Sequence, residues 1–252
     1  MDPLERAAIV LPGVDVRVVE RCSSTNDVLL KTSSEKPVLL AAEEQTAGRG
    51  RRGRRWHSAP GTGVTFSLGL RIRRPVRELA ALSLVAGVAA TRALRELGVR
   101  KASLKWPNDV VVDGAKLGGI LVETRTQGAA VYAVIGIGIN CRCIDGLERR
   151  LRRPVAFLDA FVSAPRNEVI RKIALALLEA LDAFQAKGLD GLRADWEAMD
   201  AHAGQKLRVR LADGRVLTGM AGGLAPDGSL RLKTRTGMRA IASGRVISAR
   251  TA

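Results

Sequence analysis

Aromatic and histidine residues are scarce in this sequence: its 252 residues include three Trp, one Tyr, four Phe and two His. One Tyr and four Phe are poor material for a surface that stacks nucleic-acid bases. The two histidines, His57 and His202, have no evident cysteine partner in the sequence, which argues against a Cys–His nucleophile pair.

Long hydrophobic runs are also missing. The longest apolar stretch, from Leu79 to Ala90, is interrupted by Ser83 and is shorter than the roughly 20 apolar residues that span a bilayer. The N-terminus lacks the basic and apolar regions of a signal peptide. There are three cysteines, and Cys141 and Cys143 are too close together to form a disulfide readily. These absences predict a reduced, cytoplasmic protein with no membrane association.

Arginine, by contrast, is abundant. Lys plus Arg outnumber Asp plus Glu by 41 to 25, a net charge of +16. Such a balance suits nucleic-acid binding, but a coding bias that places arginine on solvated surfaces produces it as well, and we favour that reading. Half of the excess lies in residues 205–252, where it could attract an acidic protein partner or a nucleic acid.

Apolar patterns give a coarse secondary structure. Alternating or compact apolar runs predict strands over residues 14–19, 38–42, 64–70, 104–106, 110–112, 116–123 and 130–137. Helical spacing predicts helices over residues 25–31 and 79–97, a third helix capped by Asn167 and ended by Gly188, and a fourth within 189–203. Asp113-Gly114 predicts a hairpin turn. Residues 46–63 fit no period and predict a long functional loop.

The residue pattern of the sequence changes after Gly204. Apolar residues alternate with basic ones over residues 207–211, and two Asp-Gly pairs predict tight turns. Further short strands are predicted around residues 230–232 and 241–247. We therefore expect two domains, residues 1–203 and 204–252, of which the second is a small all-β barrel.

The most unusual segment, residues 48–55, reads Gly-Arg-Gly-Arg-Arg-Gly-Arg-Arg and is called the arginine loop below. Its Gly48-x-Gly50-x-x-Gly53 spacing matches the dinucleotide-binding fingerprint, but no helical pattern follows it. No GxxxxGK[ST] phosphate loop occurs in the chain. Guanidinium groups match phosphate and carboxylate geometry and repel one another when no anion is present. We expect a loop that an anion orders; a solvated basic loop and a nucleic-acid contact are the alternatives.

A second constellation runs from Lys105 through Trp-Pro-Asn to Asp109 and continues at Lys116 with Leu-Gly-Gly-Ile. The proline fixes a corner, so that the two lysines and the aspartate flank one hairpin. Two ammonium groups can neutralise phosphates, and one carboxylate can hold Mg²⁺ or orient a donor. Gly118 and Gly119 within a strand indicate close approach of a ligand or another backbone, which a plain surface hairpin does not require.

Two shorter motifs are ambiguous by themselves. Gly136-Ile-Gly-Ile-Asn140 is an apolar strand that ends in an amide, which could contact a ligand or simply satisfy a turn. Ser23-Ser-Thr-Asn26 lies at a helix start, where capping alone would account for it.

Taken in order, these motifs resemble those of biotin–protein ligases. The arginine loop paired with Lys-Trp-Pro-Asn-Asp is highly specific, and the tail resembles the small SH3-like barrel of that family. The residues that carry the resemblance span nearly the whole chain: Ser24-Thr25-Asn26, Glu43-Glu44-Gln45-Thr46-Ala47-Gly48-Arg49-Gly50-Arg51, Lys105-Trp-Pro-Asn-Asp109, Lys116-Leu-Gly-Gly-Ile and Gly136-Ile-Gly-Ile-Asn140.

The resemblance implies an α+β fold, in which a mixed-sheet catalytic domain of the biotin/lipoate ligase type precedes an SH3-like β-barrel. It implies an ATP-dependent, AMP-forming ligase that makes biotinyl-5′-AMP and transfers biotin to a lysine of a biotin carboxyl carrier protein domain. The implied cofactors are ATP, biotin and Mg²⁺. A carboxylate attacking a phosphate is an anion meeting an anion, so cationic groups should dominate catalysis and no protein nucleophile is needed.

Residue roles follow from the same resemblance. Catalytic roles fall on Arg51, Lys105, Asp109 and Lys116, and Asp109 is the candidate metal ligand. Contacts to biotin fall on Ser24, Thr25, Asn26, Gln45, Arg49, Gly50, Arg51, Lys116 and Gly119. Contacts to ATP or the adenylate fall on Arg49, Arg51, Trp56, Asn108, Lys116 and Asn140. Within the arginine loop, Arg52, Arg54 and Arg55 are expected to be solvated neighbours.

Several expectations concern partners and rivals. Many relatives carry an N-terminal helix-turn-helix, but here the family pattern starts by about Val14, so we expect no DNA-binding domain. We expect a monomer or a weak homodimer. Two alternative functions remain open. One is a lipoate–protein ligase, which has the same architecture, and the other is a basic nucleic-acid-binding module without enzymatic activity.

Overall fold

A seven-stranded mixed sheet forms the frame of the larger part of the molecule. The computed structural model describes residues 2–32, 34–57, 59–127, 130–144, 146–151 and 153–250. The strand order is β1-β2-β3-β7-β6-β5-β4, with β1 and β2 parallel and the other neighbours antiparallel. The strands are β1 (Asp15–Cys22), β2 (Val38–Gln45), β3 (Gly63–Ile72), β4 (Ser103–Lys105), β5 (Asp109–Val112), β6 (Ala115–Gln127) and β7 (Ala130–Asn140).

The two faces of the central strands differ chemically, because successive side chains point to opposite sides of a strand. On β3, Phe66 and Leu68 belong to the main core, whereas Thr65 lies on the opposite face. The register pairs Thr65 with Gly138 of β7 and Gly138 with Gly119 of β6. At these three positions the face opposite the core carries small residues, which leave room above it.

Helices cover the core face of the sheet. Helix α2 (Leu82–Glu96) packs against α4 (Arg166–Lys187), and the buried stripe of α4 includes Ile170, Ile173 and Leu177 at helical spacing. The short helix α1 (Thr25–Leu30) lies on the opposite face, where its Leu29 belongs to a second, smaller apolar cluster. Two further short helices are α3 (Leu147–Leu151) and α5 (Arg193–Ala198).

The start of α4 differs from the prediction. The helix begins at Arg166, and the predicted cap Asn167 lies inside its first turn. Asn167 instead fastens the N-terminal segment: its Oδ1 accepts the N–H of Glu5 at 3.0 Å, and its Nδ2 donates to the carbonyl of Pro3 at 2.9 Å. Arg166, which is only 3% exposed, pairs with Glu43 of β2 at 2.7 Å. This helix start therefore joins three distant segments.

Other predicted boundaries need smaller corrections. The helix predicted over residues 79–97 begins as a 3-10 helix, Val76–Ala81, before α2. The short strands expected around residues 241–247 are β11, which ends at Ile241, and β12, which begins at Gly244. Helix α3 was not predicted. The Asp113-Gly114 turn is confirmed, since both residues have positive φ, 48° and 80°, as a tight hairpin turn requires.

A second, five-stranded antiparallel sheet follows along the chain, and is called the C-terminal sheet below. Its order is β11-β10-β9-β8-β12. Its apolar residues, including Leu207, Leu232 and Val246, belong to the same core cluster as those of the larger sheet. The strands are β8 (Lys206–Leu211), β9 (Val216–Leu224), β10 (Leu230–Thr234), β11 (Gly237–Ile241) and β12 (Gly244–Arg250).

Hydrogen bonds fix the C-terminal sheet against the rest of the molecule. The indole N–H of Trp106 donates to the carbonyl of Gly228 at 3.2 Å. The backbone N–H of Leu224 donates to Glu197 Oε1 at 3.0 Å. Trp106 directly follows β4, the strand that carries Lys105. This hydrogen bond therefore fixes the position of the C-terminal sheet relative to that strand.

The expected α+β fold class is confirmed, with a mixed sheet followed by an antiparallel one. No helix in the described part of the chain is both long enough and apolar enough to cross a membrane.

Candidate functional site

A cavity of about 650 Å³ lies over the small-residue face of the larger sheet. Gly136 and Gly138 of β7 and Gly119 of β6 line it. A Cβ atom on Gly136 would collide with the Asn26 side chain, and one on Gly138 would collide with the indole of Trp56. Glycine is needed here because the side chains of the cavity wall press directly on the strand backbone.

One end of the cavity is a network of buried, mostly uncharged polar groups. Gln45 Oε1 accepts hydrogen bonds from the backbone N–H of Thr25 at 2.8 Å and from its hydroxyl at 3.1 Å. Ser67 Oγ lies 2.6 Å from Asn26 Oδ1, and Asn26 Nδ2 donates to Glu123 Oε2 at 2.8 Å. Because these groups are buried and bonded to one another, their orientation is fixed before any ligand arrives.

The capping explanation of the Ser23–Asn26 motif is incorrect. Ser24 stands at the N-cap position of α1, but its side chain makes no capping hydrogen bond. Ser24, Thr25 and Asn26 are at most 3% exposed and all three line the cavity. The motif builds the wall of the cavity instead of closing the helix end.

The opposite end of the cavity holds charged groups from β4, β5 and β6. Lys116 Nζ donates to Asp109 Oδ1 and lies 5.8 Å from the centroid of a Trp56 ring. Burial lowers the pKa of Lys116, and the Asp109 carboxylate partly reverses that effect. Burial likewise lowers the pKa of Lys105, again opposed by Asp109. Two half-buried or buried ammonium groups thus share one carboxylate, which leaves positive charge available for an anion.

The arginine loop folds back on itself. The N–H of Gly50 donates to the carbonyl of Arg54 at 2.7 Å, and the N–H of Trp56 donates to the carbonyl of Gly48 at 2.9 Å. Arg52 sits at the tip with a left-handed φ of 57°. These bonds give the arginine loop a defined hairpin-like shape within the long connection from β2 to β3 that the sequence predicts.

The two arginines expected to matter most have different surroundings. Arg51 reaches inward and donates to Asn108 Oδ1 at 3.3 Å. Burial, followed by the charge of Arg52, lowers its pKa. Arg49 instead forms ion pairs with Asp27 at 2.5 Å and Glu123 at 2.8 Å. Arg51 is thus free of carboxylate partners among the described residues, whereas Arg49 has two.

The three arginines expected to be solvated are exposed, and each also makes a hydrogen bond or lines the cavity. Arg52 donates to Ser243 Oγ of the C-terminal sheet at 3.1 Å. Arg55 donates to the carbonyl of Thr46 at 2.7 Å, and Arg54 lines the cavity. They shape the loop and extend its positive charge.

The charge of the cavity is one-sided. Asp109 is the only carboxylate among the described lining residues. The basic lining residues come from four parts of the chain: Arg49, Arg51, Arg52, Arg54, Arg55, Lys105, Lys116, Arg153 and Arg245. The site is therefore built to receive an anion.

Asn140 is the one predicted site residue outside this cavity. It lines a smaller neighbouring pocket that Trp56 and Lys116 also line. Its Nδ2 donates to the carbonyls of Lys116 at 3.1 Å and Ala156 at 3.4 Å. Both amide hydrogens are thus engaged, so the predicted adenine contact would have to use Oδ1.

The other predicted residues all line the main cavity. Four residues in or next to the cavity wall were not predicted: Ser67, Glu123, Arg153 and Arg245. The alternation of Thr65 and Ser67 within an apolar strand was a usable signal, because polar side chains at period two mark one face. Arg153 and Arg245 carry no local signal among so many arginines.

No group of three or more His, Cys, Asp or Glu among the described residues is arranged to hold a metal ion. Proteins usually hold Mg²⁺ through one or two carboxylates together with substrate phosphates. Asp109, at the cationic end of the cavity, is the one carboxylate that the described lining offers to such an ion.

Two family models match the chain. The model of the biotin/lipoate A/B protein ligase family matches residues 18–140, and that of the biotin protein ligase C terminal domain matches residues 202–247. The biotin--[acetyl-CoA-carboxylase] ligase of Mycobacterium tuberculosis is 34% identical over 241 residues, which are 92% of this chain and 88% of that protein. The bifunctional ligase/repressor BirA of Escherichia coli K12 is 34% identical over 227 residues, which are 88% of this chain and 70% of that protein.

Solved structures agree. The biotin protein ligase from Aquifex aeolicus in complex with biotin and ATP has a TM-score of 0.80 at 29% identity, covering 94% of this chain and 99% of that one. By its sequence and its fold, this chain belongs to the biotin protein ligases of the biotin/lipoate A/B protein ligase family.

Proposed function

We propose that this chain is the ATP-dependent ligase that joins biotin to a specific lysine of a biotin carboxyl carrier protein domain, with biotinyl-5′-AMP as the intermediate. The observation that carries the proposal is the division of one cavity into two ends. A buried network of fixed hydrogen-bonding groups lies at one end, and cations with a single carboxylate lie at the other. A ligand with a polar uncharged head and a carboxylate, next to a nucleotide phosphate, matches this division.

The first step would join two anions. An oxygen of the biotin carboxylate attacks the α-phosphorus of ATP, an O–P bond forms, and pyrophosphate leaves. Lys116 and Arg51 would neutralise the negative charge that accumulates as the carboxylate approaches the phosphate. Neither cation needs to reorient, since Asn108 already orients Arg51 and Asp109 already holds Lys116.

The second step would transfer the acyl group. The amine of the acceptor lysine attacks the carbonyl carbon of the mixed anhydride, an amide bond forms, and AMP leaves. The attacking amine must be neutral, so its proton has to be lost before or during the attack. Lys105 and Asp109, which lie beside the reacting anhydride in this assignment, would guide the incoming amine.

The remaining roles extend this assignment. Ser24, Thr25, Asn26, Gln45 and Gly119 would bind the biotin ring system and its chain. Arg49 and Gly50 would hold the carboxylate and α-phosphate together with Arg51. Trp56, Asn108 and Asn140 would contact the adenosine part.

Mg²⁺ belongs to the same proposal. Asp109 would hold it, and the ion would offset phosphate charge when bound. We further propose a cytoplasmic enzyme that works as a monomer or weak homodimer. Three cysteines without disulfides suit a reducing compartment.

A direct test is a streptavidin blot of an isolated biotin-carrier domain after incubation with the enzyme, biotin and Mg-ATP. We expect labelling that requires all three additions, and no modification when lipoate replaces biotin. Lipoylation without biotinylation would contradict the assignment and favour a lipoate ligase.

The roles of Arg51 and Lys116 in neutralising charge can be tested separately. Arg51→Ala or Lys116→Ala should slow biotin-dependent ATP–pyrophosphate exchange by roughly 10²–10⁴-fold, the range for removing a group that stabilises transition-state charge. Lys101→Ala is the matched control, because Lys101 is exposed, pairs with Asp113 and does not line the cavity. Unchanged exchange in the first two variants would remove these residues from the mechanism.

A further inference from the structure

We propose that the outer face of the C-terminal sheet binds the phosphate backbone of double-stranded DNA, without regard to base sequence and apart from the ligase site. Six exposed cations form this face, which is called the basic face below. They are Lys206, Arg208, Arg210, Arg231, Lys233 and Arg250. None of them lines the cavity over the larger sheet, so the inference goes beyond the proposed adenylation and transfer.

The register of the strands gathers these cations on one side. Exposed and buried residues alternate along β8 and β10, so the cations of both strands point away from the core. Lys206 of β8 lies between Arg250 of β12 and Met220 of β9. Met220 pairs in turn with Lys233 of β10. Because neighbouring strands are about 4.8 Å apart, this row places three cations within about 15 Å.

The basic face has no counter-charge. Residues 205–250 contain two carboxylates, and both are engaged elsewhere. Asp213 pairs with Arg215 at 2.7 Å, and Asp227 accepts hydrogen bonds from the backbone N–H and the hydroxyl of Ser229, each at 2.9 Å. Within the part of the chain that the structure describes, no carboxylate lies within ion-pair distance of any of the six cations.

Exposed arginines elsewhere in the molecule include several that are paired. Three of them lie on the larger sheet and on α2 and form ion pairs of 2.6–2.7 Å: Arg17 with Asp15, Arg71 with Glu35 and Arg92 with Asp195. A coding bias raises the number of arginines, but it does not explain a face on which six cations gather without a carboxylate. Like charges gathered in this way raise the free energy of the protein alone, and a bound polyanion removes that cost.

The chemistry of the basic face favours duplex DNA over a protein partner. The centre of a protein–protein interface is usually apolar and depleted in charge, whereas here the cations extend across the whole face. Side chains on one face of an antiparallel strand repeat about every 6.8 Å, which is twice the rise of about 3.4 Å per phosphate along one strand of B-DNA.

The composition of the sheet also decides the kind of contact. Residues 204–252 contain no Phe, Tyr or Trp, so the sheet has no side chain on which the bases of a single strand could stack. Backbone contacts from Lys and Arg remain, and these position a duplex without reading its sequence. Such binding needs no helix-turn-helix.

Fluorescence anisotropy of a labelled DNA duplex of arbitrary sequence, titrated with the native enzyme, measures this binding. We expect a Kd of roughly 10⁻⁴–10⁻⁶ M at physiological salt and a logarithm of affinity that falls linearly with the logarithm of the salt concentration. Combining Arg208→Gln, Arg231→Gln and Arg250→Gln should make that slope shallower by about 2.7, because each lost phosphate contact contributes about 0.9. Biotin-dependent ATP–pyrophosphate exchange should be unchanged in this variant.

The matched control combines Arg17→Gln, Arg71→Gln and Arg92→Gln. It lowers the net charge by the same amount but removes arginines that already have carboxylate partners. The salt slope should therefore stay nearly unchanged. An equal loss of DNA binding in the control would overturn the inference, because net charge alone would then drive binding.

Other results would also overturn it. These are an absence of duplex binding by the native enzyme, an unaltered salt slope in the basic-face variant, and tighter binding of a single strand or an RNA duplex than of the DNA duplex. A raised KM for the carrier domain in the basic-face variant, with DNA binding unchanged, would overturn it in favour of a docking site for an acidic acceptor. Failure of the proposed ligase activity would be distinct, because DNA binding is measured without biotin, ATP or acceptor.

Discussion

Lys116 shows how one residue can be tuned by two opposing surroundings. Burial disfavours its charged form and lowers its pKa, whereas Asp109 favours the charged form and raises it. The ion pair therefore opposes the loss of the proton that burial favours, and the protonated amine is the state that an anionic substrate requires. Nearby Arg51 needs no such support, since a guanidinium stays charged at any working pH.

This balance predicts a change in pH dependence. In Asp109→Asn the opposing effect is lost, so the pKa of Lys116 should fall further and the amine should lose its proton at a lower pH. The alkaline limb of biotin-dependent ATP–pyrophosphate exchange should then move to lower pH. The measurement is the pH profile of the exchange rate for the native and variant enzymes.

A double variant provides the control. Arginine does not titrate in this range, so Lys116→Arg combined with Asp109→Asn should show no alkaline limb from this position. If the shifted limb persists in the double variant, another group titrates and the assignment to Lys116 is wrong.

At the scale of elements, the arginine loop is tethered as well as folded. Arg49 links it to α1 through Asp27 and to β6 through Glu123, and both ion pairs are partly exposed. Glu123 also accepts a hydrogen bond from Asn26, so the tether reaches the polar end of the cavity. A ligand that contacts Asn26 and one that contacts the loop would therefore act on the same carboxylate.

The tether predicts a pattern of proteolysis. Trypsin should cut within residues 48–55 faster in the ligand-free enzyme than in the presence of biotin and ATP. Asp27→Asn or Glu123→Gln should speed cutting of the ligand-free enzyme by up to about fivefold, because partly exposed ion pairs contribute up to about 1 kcal/mol each and cutting follows the open population.

Glu35→Gln is the control for that experiment, since it removes the exposed ion pair between Glu35 and Arg71 at another site. Equal cutting rates with and without ligands would contradict the idea that ligands close the loop. Equal rates in the tether variants and the native enzyme would remove the ion pairs from that role.

At the scale of the whole molecule, the two sheets share one hydrophobic core. Leu207, Leu232 and Val246 of the C-terminal sheet belong to the same cluster as the core of the larger sheet. Polar contacts between Trp106 and Gly228 and between Glu197 and Leu224 fix their arrangement. Residues on separate sheets can therefore form one site with defined distances.

A shared core predicts that the molecule unfolds as one unit. Glu197→Ala leaves the N–H of Leu224 without its partner and should lower the free energy of unfolding by about 1–3 kcal/mol. Urea unfolding followed by tryptophan fluorescence and by far-UV circular dichroism should still give coincident transitions. Glu96→Ala, which changes an exposed helix residue, should have a much smaller effect. Two separated transitions would show that the sheets unfold independently.

The sequence by itself determined the family, the fold class and most of the residues around the cavity. Local chemistry was sufficient for this. Glycines within a strand indicate a close approach to the backbone, an arginine-rich loop favours an anion, and Asp-Gly pairs predict turns between short strands. The start of α4 was less well predicted, because Asn167 contacts Glu5 and Pro3 from the far end of the chain instead of capping the helix.

Only the tertiary structure decided which side chains contact one another and which remain available to a ligand. Asn26 and Glu123 lie 97 residues apart, and Arg52 and Ser243 lie 191 residues apart. Such contacts depend on strand order and register, which no local period encodes. The fold pairs Arg49 with carboxylates, occupies the amide of Asn140, and brings Arg245 into a cavity formed mainly by the other sheet. Charge and hydrogen-bonding capacity belong to single residues, but whether they are available to a ligand depends on the neighbours that packing supplies.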